Sequence, residues 1–268
     1  MVRIGTRLCK TIMGRSGIAS VDYAVNPYLG CEHGCVYCYA RFMARMGHAG
    51  EEWGSFVDVK ANALERLRAE APRRRRGVVY LSSVTDPYQP LERRFELTRG
   101  ALQTLLEYQF PVMVQTKSDL VLRDLDLLRR FDDCEVGFTI TALDDATRLA
   151  FEPRASPIQA RLKALKEIGE AGVETYVFLG PLLPHLSEQG LDILLDELAE
   201  SAGRVIVDRL NIKCGNLPEI RRVLSLHYAD LQPAFEAALS AESRYYKGLK
   251  IRLTAMLGER GIPYDFCY

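Results

Sequence analysis

The sequence predicts an α/β fold in which six strand–helix units form a parallel sheet, curved into a partial barrel or left open. Two observations carry this. Short β-branched runs alternate with longer segments whose apolar residues recur every three or four positions, and strand starts fall 24 to 39 residues apart. That spacing suits parallel strands joined by right-handed helical crossovers. A third observation bears on function. The polar residues able to do chemistry follow the strands, at the edge where open α/β sheets and barrels place their sites.

In chain order, the first strand lies around Asp22 to Asn26 and leads into CEHGCVYC (31–38). The others are GVVYLS (77–82), FPVMVQT (110–116), CEVGFTI (134–140), VETYVFL (173–179) and RVIVDRL (204–210). Between them, Leu102, Leu105 and Leu106 form one apolar stripe, and Leu122, Leu125 and Leu128 a second. Ile158, Leu162, Leu165 and Ile168 form a third, and Leu191, Leu194, Leu195 and Leu198 a fourth, as amphipathic helices require. Gly172 stands where a left-handed residue ends a helix, just before a strand. The chain thus divides into an N-terminal extension (1–20), a barrel region (21–215) and a C-terminal helical extension (216–268). Its tail, GERGIPYDFCY, is aromatic enough to dock and close the barrel.

Composition is ordinary for a globular chain, 48% hydrophobic and 26% charged over 268 residues, so a real core is available. A formal net charge of zero supplies no global field for nucleic acid or membrane. No stretch approaches the ~20 apolar residues of a membrane span, and the first 20 residues lack a signal-peptide core. A cytoplasmic protein with no membrane partner is expected. Seven cysteines, four of them scattered singly (Cys9, Cys134, Cys214, Cys267), make a poor disulfide framework. A tight cysteine cluster in such a protein is more often metal-binding or catalytic.

That cluster is Cys31, Cys35 and Cys38. A closed structural zinc site takes four protein ligands. The fourth would be His33, cramped between two of the cysteines, or His48, ten residues past the last. The alternative is a four-iron cluster held by three thiolates, with one iron left open for a substrate or cofactor.

The C-x3-C-x2-C spacing with an aromatic before the last cysteine resembles the signature of radical S-adenosylmethionine (SAM) enzymes. NPYLGCEHGCVYCYAR (26–41), SSVTDPYQPLE (82–92), QTKSDLVLRDLDLL (115–128) and FEPRASP (151–157) extend the likeness to the spore photoproduct lyase-like ("DNA repair photolyase") subgroup. The resemblance implies a partial (β/α)6 TIM barrel, a [4Fe-4S] cluster on Cys31, Cys35 and Cys38, and SAM on the open iron. It implies reductive cleavage of SAM to a 5′-deoxyadenosyl radical that abstracts hydrogen from a substrate, with reduced ferredoxin or flavodoxin as electron donor. Carried over by position, Tyr37 would pack on the adenine. Ser83, Thr85 and Asp86 would read the methionine amino group and Lys117 the carboxylate. Thr139 and Thr141 are candidates for the ribose, and Arg154 for a carboxylate or substrate phosphate.

One departure matters. The lyase has a cysteine beside its second-strand residues as hydrogen donor, whereas this chain reads LSSVTD, with serine. Tyr37, Tyr39 and Cys267 remain as candidates for a radical relay or replacement donor. The first 50 residues carry six Lys/Arg against two Asp/Glu, which favours an anionic substrate, with nucleic acid among the candidates. The run PRRRRG (72–77) reads as a solvated turn at the other end of its strand. Two competing readings are radical-SAM modification of a peptide or small metabolite, and a non-catalytic iron–sulfur redox or binding module.

Overall fold

The computed structural model describes residues 2–268. Eleven strands are present among the described residues: β1 (Arg3–Arg7), β2 (Met13–Arg15), β3 (Tyr23–Val25), β4 (Tyr28–Leu29), β5 (Phe56–Lys60) and β6 (Val79–Leu81), then β7 (Val112–Thr116), β8 (Cys134–Ile140), β9 (Glu174–Leu182), β10 (Arg204–Arg209) and β11 (Tyr264–Phe266). The main sheet runs β2-β3-β6-β7-β8-β9-β10-β11. From β3 to β11 every neighbouring pair is parallel, and only β2 runs antiparallel, at the edge. Strands taken in chain order with helices between them are what repeated right-handed crossovers produce. The edge strands β2 and β11 do not pair with each other, so the barrel is partial and open.

Side-chain alternation explains why these segments are strands. On β7, Val112, Val114 and Thr116 are buried on the helix-covered side, while Met113, Gln115 and the following Lys117 turn into an interior cavity. On β10, Val205 and Val207 are buried, while Arg204, Ile206 and Asp208 line the same cavity. The helix Leu191–Ala199 buries Leu191, Leu194, Leu195 and Leu198, the stripe read from the sequence.

All six strands expected from the sequence form. What the sequence reading lacked is the last one. The tail after residue 263 is a seventh parallel strand, with Val205 opposite Tyr264 and Val207 opposite Phe266. A three-residue strand leaves too little pattern to read, and its register is set by docking on β10. A second sheet, β1-β5-β4, was also not foreseen. It packs beside the cysteine segment, with Phe56 of β5 in one apolar cluster with Cys31.

The helices Leu217–His227 and Gln232–Ala238 cover the back of that segment. Ile220, Val223, Leu224 and Phe235 share a core with Cys35, Val36 and Tyr37. The run 72–77 lies at the N-terminal end of β6, where Arg74 donates to the Met13 carbonyl and Arg76 to that of Gln109. Among the described residues, no helix is long and apolar enough to cross a membrane.

Candidate active site

Tight backbone turns build the cysteine loop. Gly30 and Gly34 hold φ of 87° and 64°, a region that costs residues with a Cβ. Gly34 also packs directly on Gly54, where a Cβ would stand 2.6 Å from the Gly34 Cα. Gly54→Ala is therefore expected to push the loop outward and to lower iron loading several-fold, read as iron per chain after anaerobic reconstitution. Cys31 and Cys35 are buried and Cys38 partly so. All three are free thiols on the wall of one cavity of about 650 Å³. Among the described residues, no three His, Cys, Asp or Glu side chains converge as a single-ion site would require. His48 is engaged elsewhere, with Nε2 2.9 Å from Asp58 and its ring stacked on Phe56.

The loop after β6 braces the cysteine loop. Thr85 donates to the Gly30 carbonyl at 2.6 Å, and Gln89 accepts from the Glu32 N–H at 2.8 Å. Asn26 donates to Ser83 Oγ and accepts from the Val84 N–H. Asp86 accepts from the Tyr88 N–H, from Thr116 Oγ1 and from the Lys117 N–H, pinning this loop to the end of β7. Buried His33 faces it, Nδ1 to Oδ2 at 3.3 Å. Burial opposes charge on both, but their mutual attraction outweighs it, lifting His33 to about 9 and lowering Asp86 to about 2.

Tyr37 is held at four points. Its hydroxyl donates to Glu152 and lies 3.2 Å from Thr141 Oγ1, and its carbonyl accepts from Asn216 at 2.7 Å. Its ring carries the Lys117 ammonium 5.8 Å from the centroid. Glu152, 1% exposed, is paired with fully buried Arg161 at 2.5 Å and also accepts from Thr141. Burial would raise Glu152, but the charges of Arg161 and Lys117 hold it below the usual carboxylate range. Burial lowers Lys117, and the Cys35, Glu152 and Asp86 charges more than restore it, so it stays cationic. Burial holds the Cys35 thiol well above its ordinary range, and burial with the neighbouring Cys31 pushes Cys38 up to about 12.

The structure thus brings Cys31, Cys35, Cys38, Tyr37, Tyr39, Ser83, Thr85, Asp86, Lys117, Thr139 and Cys267 to one cavity. Tyr39 is half-exposed and donates to the Ser83 carbonyl. Two expected residues lie outside it. Thr141 points into the Tyr37–Glu152 cluster, donating to Glu152, with its Oγ1 3.2 Å from the Gly180 carbonyl oxygen. Arg154 crosses behind the cysteine loop, donating to the carbonyls of Glu32 at 2.7 Å and Gly54 at 2.5 Å. Both brace the loop.

Sequence reasoning missed the cavity floor, where Gln115 accepts from Tyr80 and donates to Thr139. It also missed Asp208, on the far wall beside Cys267, and Ser82, which is 5% exposed with φ of 70°. Arg161 had a readable signal: it falls on the helix face of Ile158, Leu165 and Ile168, where a charge needs a partner.

The profile of the radical SAM superfamily matches residues 25–198. An uncharacterized protein of Methanocaldococcus jannaschii is 34% identical over 80% of this chain and 79% of its own length. A radical SAM Nα-GlyT isomerase of Pseudomonas phage M6 is 24% identical over 90% of this chain and 52% of its own. Among solved structures, a mutant spore photoproduct lyase with bound AdoMet and dinucleoside spore photoproduct aligns with 99% of this chain and 82% of its own. The TM-score is 0.69 at 16% identity, a likeness of fold.

Proposed function

The chain belongs to the radical SAM superfamily, whose enzymes use a [4Fe-4S] cluster and SAM, and from that premise we propose hydrogen abstraction from a nucleotide or nucleic-acid substrate. One observation carries this reading. Three free thiols share a cavity wall with an ammonium, Lys117, that has no carboxylate within salt-bridge distance among the described residues. The donor set fits the cofactors. Thiolates are soft ligands for iron–sulfur clusters, and a half-buried cation without a salt-bridge partner suits the SAM carboxylate. Cys31, Cys35 and Cys38 would hold the cluster and Lys117 the carboxylate, while Ser83 and Thr139 offer hydroxyls along the same wall. When bound, the cluster and SAM supply a 5′-deoxyadenosyl radical, given a reductant for which reduced ferredoxin or flavodoxin is our candidate.

This chain's residues do the rest. Tyr37, fixed at both hydroxyl and carbonyl, keeps the segment between Cys35 and Cys38 in one conformation. Cys267, exposed on the cavity wall, is our candidate to return a hydrogen atom: its S–H bond breaks, a substrate C–H bond forms, and the unpaired electron passes to sulfur. That role requires a thiol, not a thiolate. Burial raises the Cys267 pKa, helped by the charges of Asp208 and Asp265. Support for a nucleotide substrate comes from a structural relative. A spore photoproduct lyase mutant holds a dinucleoside spore photoproduct on the same fold.

The test uses reduced, SAM-loaded enzyme with deuterated nucleic acid and, separately, with deuterated peptide and small-metabolite fractions. Deuterium reaching 5′-deoxyadenosine from nucleic acid supports the reading, and label from the other fractions alone overturns it. In D2O, Cys267→Ala is expected to cut deuterium delivery to the product at least about tenfold, as loss of a group acting in the transition state should. Unchanged delivery, measured by mass spectrometry, removes Cys267 from the mechanism.

A further inference from the structure

The cavity is polarised. At the cysteine end stands Lys117, a cation whose ammonium has no acidic partner in salt-bridge range among the described residues, Asp86 accepting only from its backbone N–H. The opposite wall is made by the inward positions of β10 and β11: Arg204, Ile206 and Asp208 on one strand, Asp265 and Cys267 on the other. The parallel register sets Val207 beside Phe266, and the Cys267 N–H donates to the Val207 carbonyl at 2.9 Å. Asp208 and Cys267 are therefore next-strand neighbours facing the same space.

The cations near this wall are spoken for. Arg204 grips Glu135 with two bonds of 2.7 and 2.6 Å and reaches Asp265 only at 3.8 Å. Arg209 is exposed and stacks on the Tyr268 ring, 5.6 Å from the centroid. Lys250 lies over the rings of Phe266 and Tyr268 and donates to the Tyr268 carbonyl. Among the described residues, Asp208 has no Lys, Arg or His within salt-bridge distance, and its one hydrogen bond is from the adjacent Arg209 N–H to Oδ1. A half-buried carboxylate with no cation paired to it leaves its charge facing the cavity, where a cationic group can pair with it. Burial accordingly raises its pKa, with Arg209 only partly offsetting this.

We infer that Asp208 is a specificity-determining residue: the β10–β11 wall takes the reacting part of the substrate and selects one bearing a protonated amine. This rests on the reading of the cavity as a radical SAM site, and it refines the expected charge. Phosphates of a nucleotide would stay at the rim, where Arg209 is exposed, while the group that enters is cationic. The SAM ammonium is not the partner, since in this family the methionine end belongs at the cluster, on the other side of the cavity.

Cys267 reports the local potential without the substrate being known. The SAM-loaded holoenzyme is treated with cationic 2-(trimethylammonium)ethyl methanethiosulfonate or with anionic 2-sulfonatoethyl methanethiosulfonate. Modification rates are read on the C-terminal peptide by mass spectrometry. Relative to a free thiol, the cationic reagent is expected to be favoured at least about tenfold at low salt, because a low-dielectric wall focuses the carboxylate field. Asp208→Asn should cut that preference at least about threefold, and 1 M NaCl should bring the wild-type ratio close to that of the free thiol. The salt series stands on its own if the variant folds poorly. Equal or anion-favouring rates in wild type, or a ratio indifferent to both Asp208→Asn and salt, overturn the inference. The same preparation is assayed for dithionite-driven SAM cleavage. Failure there defeats the radical SAM reading, whereas intact cleavage with no cation preference defeats only the amine selection.

Discussion

Arg161→Met is expected to destabilise the fold by about 3–5 kcal/mol, the usual cost of stranding one member of a buried ion pair. Arg161 is fully buried and satisfies three acceptors: Glu152, the Thr139 carbonyl and the Ser156 carbonyl. Without it, Glu152 keeps its burial and the Tyr37 and Thr141 hydroxyls, but loses the nearest opposing charge. The pH dependence should invert, and the sign follows from linkage. In the wild type the folded Glu152 pKa lies below its usual 4.5, so the pair's stabilisation is complete above 4.5 and is lost as pH falls through the folded value. In Arg161→Met, burial dominates and raises that pKa. Folding then takes up a proton, and this site stabilises the variant as pH falls. Urea titrations between pH 4 and 7 measure both slopes. Glu152→Gln in the Arg161→Met background should recover part of the loss, giving a coupling of about 1–3 kcal/mol. A loss below about 1 kcal/mol, or parallel pH profiles, would show that the pair does not hold Tyr37 in place.

Cys35→Ala should abolish cluster loading and, with it, SAM cleavage, by at least about a hundredfold. Loss of groups that merely orient a metal ligand already costs 10–100-fold. Cys35 is the middle thiol of the three and sits in the core shared by Val36, Tyr37 and Phe235, so the side chain itself is easily replaced by alanine. The effect is thus separable from unfolding: circular dichroism should stay near wild type while iron and sulfide fall. Wild-type iron content in the variant would mean that the cluster, if present, hangs on other ligands.

Much of the fold was readable because its strands are β-branched runs and its helices carry regular apolar stripes. CEVGFTI became a strand with its predicted ends, Cys134–Ile140. The short elements were not readable. β11 has three residues, and β4 and β5 are set by packing around Phe56 and Trp53. At the site, cysteine spacing was a direct chemical signal. The TDPYQP block was correctly placed at a strand end, yet most of its polar atoms are committed to the chain's own backbone. Spacing cannot tell a side chain that faces a ligand from one that braces the loop beside it. The same limit applies to Arg154 and Arg161. One follows the short helix Asp145–Phe151 and props the loop from behind, while the other hides inside a helix and carries the buried charge. Asp208 left no motif, and only the alternation of β10 shows that it faces inward.

Cluster-driven cleavage of SAM at the three thiols and Lys117 is the step on which the proposed function stands. The most direct measurement is liquid chromatography of products after dithionite reduction of anaerobically reconstituted protein with SAM. Expected is a brown protein with about four irons per chain, the content of the cluster its family uses, that releases 5′-deoxyadenosine and loses this activity in Cys35→Ala. A colourless protein with stoichiometric zinc, or a brown one that releases no 5′-deoxyadenosine above the protein-free control, would contradict that step.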